Sequence, residues 1–145
     1  MLVALGARIE ARVIFLDQQT MTSNDKSAPM PSGDLALQTL AMPKDTNANG
    51  DIFGGWLVSQ MDLAAGIATK KVAQGRAATV AIQNITFIKP VSVGSTVSCY
   101  TTLVKTGRSS MHIDVEVWMA NWRVAAGLFV YVAIDDDGNP RPLPI

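Results

Sequence analysis

Gly54-Gly55-Trp56-Leu57-Val58-Ser59-Gln60-Met61-Asp62-Leu63-Ala64-Ala65-Gly66-Ile67-Ala68-Thr69-Lys70-Lys71-Val72-Ala73-Gln74-Gly75 is the long helical stretch of this chain. Leu57, Met61, Ala64, Ala65, Ala68 and Val72 recur at helical spacing from Trp56 to about Gln74, behind the opening glycine pair. Lys70 and Lys71 fall in the last turn, where cations complement the helix dipole, and Gly75 is the natural stop. Upstream, residues 35–42 alternate as a first strand that Pro43 ends, and residues 44–51 form a polar loop dense in turn residues. Downstream, every segment reads as strand. Residues 77–89 alternate, with a phase change between Ile82 and Ile85 that predicts a bulge. Val97 to Leu103 and Met111 to Met119 follow, separated by a Gly107-Arg108 turn. A tight turn at Asn121-Trp122 leads to Val124–Ile134, whose nearly unbroken apolar run predicts a strand covered on both faces. One helix and the antiparallel strands around it give an α+β layer architecture, because the helix stripe has only that sheet to pack against.

Composition narrows the function classes. The chain has 145 residues, 48% hydrophobic and 17% charged, which fits one core-rich domain and not a disordered chain or coiled coil. Twelve basic residues balance twelve acidic ones, so the footprint of a nucleic-acid-binding protein is missing. A lone cysteine, Cys99, cannot close an internal disulfide and points to a reducing, cytoplasmic setting. One histidine and one cysteine are too few for a zinc site built from such ligands. A short chain this apolar and this weakly charged also suggests that a second copy covers part of its surface.

Two segments are tested against targeting and membrane signals. Residues 1–16 are apolar but interrupted by Arg8, Glu10 and Arg12, a poor match to a secretory signal. They fit either a short amphipathic helix or an extension upstream of a start at Met21, and residues 17–34 read as a mobile arm. Residues 1–34 are therefore set apart from a single domain at 35–145. The run Val117–Ile134 carries only Asn121 and Arg123 as polar residues, yet a central Arg costs ~2.5–3.5 kcal/mol in a membrane helix. Two strands and a turn explain it better, and no membrane association is expected.

Common catalytic signatures are missing: no nucleophile elbow, no P-loop, no dinucleotide fingerprint. His112 alternates with carboxylates along a strand and reads as a surface or structural residue; Cys99 reads as packing. What remains is Asn47-Ala48-Asn49-Gly50-Asp51-Ile52-Phe53-Gly54-Gly55-Trp56. Here a carboxylate, Asp51, sits just ahead of a glycine-rich helix start whose first N–H groups lack internal partners. Such a terminus favours negative charge, including an oxyanion formed in a reaction. The plain alternative is a capping Asp on an ordinary turn, worth ~1 kcal/mol. Asp62, within the helix, is either on a wet edge or buried and paired. The pattern leaves both pairs of alternatives open.

Taken in order, Thr39-Leu40-Ala41-Met42-Pro43, the Asn47–Trp56 run and Ser59-Gln60-Met61-Asp62 closely resemble the YciA-type hotdog-fold acyl-CoA thioesterases. So do Gly75-Arg76, Thr86-Phe87-Ile88-Lys89-Pro90, Val93-Gly94, Gly107-Arg108-Ser109-Ser110, Val115-Glu116-Val117-Trp118 and Tyr131-Val132-Ala133-Ile134-Asp135. The resemblance implies a hotdog: a long central helix wrapped by a curved antiparallel sheet, paired into homodimers and assembled to hexamers as trimers of dimers. It implies an enzyme that hydrolyses acyl-CoA without a metal, coenzyme A being part of the substrate and no further cofactor required. The active site it implies lies at the dimer interface by the helix N-terminus, with Asp51 catalytic and Asp62 a second functional carboxylate from the partner subunit. Gly54 and Gly55 supply oxyanion donors; Gly107, Arg108, Ser109, Ser110 and Lys89 are coenzyme A contacts by the same analogy.

The chain departs from the family pattern at Gln83, at Ala125-Ala126 and in the short Asn121-Trp122 connection, positions that bear on substrate preference and the acyl-side pocket. The small helix residues Ala64, Ala65, Gly66 and Ala68 are expected to leave room for an acyl chain. Two rivals share the framework. A hotdog dehydratase or isomerase needs a histidine near the helix, and the only one is His112. A non-catalytic acyl-CoA-binding module would have no use for an intact Asp51 beside Gly54-Gly55.

Overall fold

Alternation in the second half of the chain becomes one antiparallel sheet in the computed structural model, which describes residues 30–144. Strand β1 spans Asp34–Leu40, helix α1 Gly54–Ala73, β2 Ala77–Phe87, β3 Thr96–Thr106, β4 Ser110–Met119 and β5 Trp122–Ala133. The sheet order is β1-β3-β4-β5-β2, so the strands flanking the helix in sequence become the two edges. Helix α1 crosses the sheet and touches all five strands. This is the hotdog architecture, as an open sheet and not a closed barrel. The N-terminal segments proposed as an amphipathic helix, or as lying upstream of a start at Met21, fall outside the described residues, as does most of the arm. Its last part, from Pro31, belongs to the folded unit, where the Ser32 N–H donates to Glu116 Oε2 at 3.1 Å.

The period-2 pattern of β4 sorts cleanly. Met111, Ile113, Val115 and Val117 are fully buried towards the helix, joined there by Phe129, Val97, Val124 and Met61. Strand β5 is buried at Val124-Ala125 and Phe129–Tyr131 but partly open over residues 126–128, so it is less completely covered than its apolar run suggested. The expected break in β2 is real. Pairing with β5 jumps from Gln83↔Leu128 to Thr86↔Ala126, and Asn84 takes up the extra residue at φ 56.

Three boundaries differ from expectation. Strand β1 stops at Leu40, and Pro43–Asp45 form a single 3-10 turn in which the Asp45 carboxylate accepts the Met42 N–H at 3.0 Å. The β4–β5 turn is Ala120-Asn121, because Trp122 already pairs with Met119. Helix α1 ends through Gln74, itself left-handed at φ 51. Gly75 matters for space instead: a Cβ there would stand 2.8 Å from Arg141 Nη2. That guanidinium donates to the Ala73 and Ile134 carbonyls at 2.8 and 3.0 Å, so the C-terminal segment closes the open end of the helix.

Candidate active site

The segment before α1 is held by its own polar residues. Asn47 Oδ1 accepts the N–H groups of Asn49 and Asp51 at 2.9 and 3.1 Å, while Asn47 N–H donates to the Asp51 carbonyl at 2.8 Å. Thr46 and Ile52 pair as an isolated bridge, and the Phe53 N–H donates to the Asp45 carbonyl at 3.3 Å. These bonds fix the Asp51 backbone and leave its side chain exposed, with no partner among the described residues. Phe53, not Asp51, is the N-cap, and no side chain caps the helix. The capping alternative therefore does not describe Asp51.

Helix geometry leaves the first amides of α1, at Gly54 and Gly55, without intrahelical partners. Gly54 cannot carry a side chain without displacing Phe87, whose ring would lie 2.9 Å from its Cβ. A cleft of about 440 Å³ opens beside this terminus, lined by Ile52, Gly54, Leu57, Phe87, Ile88, Lys89, Pro90 and Val91. Asp51 lies next to its wall in sequence. A second depression, of about 310 Å³, lies around Glu116 and Arg123 on the far face of the sheet. Two of its charges engage each other there: Glu116 holds the Trp118 indole N–H at 2.9 Å and Arg123 at 3.4 Å.

Asp62 is half-buried and paired. Its Oδ1 accepts the Thr79 hydroxyl at 2.7 Å and lies in short contact with the Tyr131 hydroxyl. Burial first, and then the bond to Asp62, push the Tyr131 phenol above the ordinary tyrosine range. Neither Thr79 nor Tyr131 carries a recognisable sequence signal for this role. Their being opposite one another on β2 and β5 brings them together.

The residues expected to meet coenzyme A do not sit together. Lys89 lies at the α1 N-terminal end, its Nζ 2.8 Å from the centre of the Trp122 ring. Gly107, Arg108, Ser109 and Ser110 form the β3–β4 turn at the other end of the sheet. There the Gly107 N–H donates to the Ser110 carbonyl, and the Arg108 and Ser109 carbonyls accept from Leu143 and Ala133. The Arg108 guanidinium is free of partners among the described residues and exposed. Ten residues of β4 separate the two ends, roughly 33 Å.

The other expectations resolve locally. His112 lies between the inward-facing Met111 and Ile113, on the sheet face away from α1, opposite Lys105 and Val130. Cys99 is fully buried. Ala64 and Ala65 are fully buried against the sheet, and a Cβ on Gly66 would meet the Tyr131 hydroxyl at 3.5 Å, so these small residues bring helix and sheet close. Gln83 is exposed on β2, and Ala125 is buried opposite Val117. Among the described residues, no helix is long and apolar enough to cross a membrane.

Residues 49–126 match the family model of the thioesterase superfamily. The acyl-CoA thioester hydrolase YciA of Salmonella typhimurium is 49% identical over 134 residues, covering 86% of this chain and 98% of the relative. The chain belongs to the YciA-type acyl-CoA thioesterases. Two solved thioesterase structures superimpose on it. A hexameric thioesterase from Yersinia pestis is 54% identical, covers 80% of this chain and 99% of that one, and has a TM-score of 0.78. A hexameric broad-specificity acyl-coenzyme A thioesterase is 48% identical over 83% of this chain and 88% of its own, with a TM-score of 0.79.

Proposed function

We propose that the chain hydrolyses the thioester of an acyl-CoA to the free acid and coenzyme A, with Asp51 as the reacting carboxylate. The observation that carries this reading is an exposed, partner-free Asp51 immediately before an uncapped Gly54-Gly55 helix terminus, beside an apolar cleft. Asp51 takes a proton from water as that water adds to the thioester carbon, or adds itself to give an anhydride that water then opens. In both routes the carbonyl oxygen becomes an oxyanion, and the Gly54 and Gly55 amides at the positive end of α1 stabilise it. The C–S bond then breaks, and the coenzyme A thiolate takes up the proton held on Asp51 in the first route or the one that water releases on opening the anhydride in the second. In this reading Asp51 and the two amides carry the chemistry, and no metal is invoked.

The site is completed by a second copy. Strand β2 is a sheet edge with Val80, Ile82 and Phe87 exposed on it, an unpaired edge of the kind that recruits another strand. Antiparallel pairing of two β2 edges reverses one sheet against the other, placing the partner's Gly107–Ser110 turn at the Asp51 end. Arg108 and Lys89 then offer charge to the coenzyme phosphates from different subunits. Such dimers assemble further into hexamers, the state of the solved relatives.

Asp51→Asn keeps the shape of the side chain and removes its basicity. Turnover of a panel of acyl-CoAs, followed by thiol release, should fall at least about a hundredfold, and a chelator should leave the parent rate unchanged. Parent-like turnover in Asp51→Asn would overturn the assignment.

A further inference from the structure

The β4–β5 connection, where the chain departs from the family pattern, carries Trp122, and the Trp122 ring carries Lys89. Two anchors hold that lysine. Its own N–H and that of Ile88 both donate to the Val124 carbonyl, at 3.3 and 2.8 Å, which fixes the backbone after β2 beside the start of β5. Its Nζ then lies 2.8 Å from the centre of the Trp122 ring, and both side chains are half-buried. Trp122 is itself fixed, pairing with Met119 across the turn and packing on the core. Among the described residues, ion pairs join Lys44 to Asp45 and Arg123 to Glu116, and none reaches Lys89.

A carboxylate in place of the ring would orient the ammonium and cancel its charge. An indole face orients it through the ring quadrupole and carries no net charge of its own. Lysine is a point charge on a flexible four-carbon stem, and that freedom is lost when it meets an anion. On Trp122 much of it is given up beforehand, at the wall of the cleft that also contains Gly54. We propose that Trp122 is a positioning residue for the coenzyme end of the substrate: it holds Lys89 at the cleft, oriented and still fully charged, for a phosphate of the acyl-CoA. This rests on the hydrolase reading above and adds the aromatic platform beneath the cation. Such a contact is made equally in the ground and transition states, so it governs KM and leaves kcat alone.

Trp122→Leu keeps an apolar side chain on the strand and removes the ring face, whereas Trp122→Phe keeps a face. With an acyl-CoA, Trp122→Leu should raise KM about threefold to tenfold at parent-like kcat, and Trp122→Phe should stay within about twofold. The matching acyl-pantetheine has the thioester but no phosphate, and the KM of Trp122→Leu for it should equal the parent's. Lys89→Met should raise KM for acyl-CoA at least as much, and adding Trp122→Leu to it should change nothing further. Parent-like KM in Trp122→Leu, a loss shared by acyl-CoA and acyl-pantetheine, or Trp122→Phe as impaired as Trp122→Leu would each overturn the proposal. So would a further loss in the Lys89→Met background. Asp51→Asn, assayed alongside, separates the two claims. If it is inactive while Trp122→Leu is parent-like, only the platform falls; if it is fully active, the hydrolase reading falls.

Discussion

Cys99 shows how completely burial decides the chemistry of a side chain. It is fully enclosed on β3, and desolvation pushes its thiol from 9.0 up to about 12. The neutral thiol is the nucleophilically inert form, so a disulfide-exchange reagent at pH 8 should label Cys99 only after the chain unfolds. The pH dependence has a definite sign. A thiol whose pKa rises on folding stabilises the native state fully below about pH 9, and that contribution is lost as pH climbs towards 12. Cys99→Val should therefore flatten the fall in stability over that window, as followed by urea denaturation at successive pH values. Tyr131, raised for the same first reason, extends the alkaline loss to higher pH. At this scale much was legible. The isolation of Asp51 before two glycines is a sequence fact, whereas the grip on Asp62 is not, since Thr79 and Tyr131 lie 17 and 69 residues away.

Among the elements, α1 is the one whose composition is explained only by what it touches. Ala64 and Ala65 have no exposed surface, and their smallness lets the helix lie close over the sheet. Ala64→Leu would force bulk into that contact and should cost ~1–3 kcal/mol, read from the midpoint of chemical unfolding. Sequence periodicity located this helix well because its apolar stripe and its last-turn lysines agree. It could not tell that the same small residues serve the close packing of helix on sheet. The bulge at Asn84 was legible as a phase change, but the irregularity between Thr79 and Ala81 was not, since the nearby Ala77, Ala78 and Ala81 carry no phase. The β4–β5 turn slipped by one residue because an aromatic such as Trp122 belongs in a strand, while Ala120 takes the left-handed position at φ 52. The 3-10 turn at Pro43 escaped notice because the Asp45 carboxylate that closes it looks like one more loop acid.

At the scale of the whole molecule, the layer class followed from one helix among many strands. The strand order did not. Nothing local says that β1 pairs with β3 and that β2 returns to the opposite edge beside β5, because those pairings join segments far apart in the chain. This order determines where the chemistry lies. It puts Asp51 and Lys89 at one end of the sheet and Arg108 at the other, the length of β4 apart. Net neutrality therefore conceals an uneven distribution: one free guanidinium at one pole, and one ammonium resting on the Trp122 ring at the other.

That polarity has a genetic consequence. On the proposed two-subunit site, an Asp51→Asn chain and an Arg108→Glu chain should each be crippled alone, because every site they build would carry one defect. Co-expressed, they form mixed pairs in which one site inherits both lesions and the other inherits neither. Two inactive alleles should thus restore a fraction of the thioester turnover when present together, and a cross that yields no activity would mean that each chain works by itself.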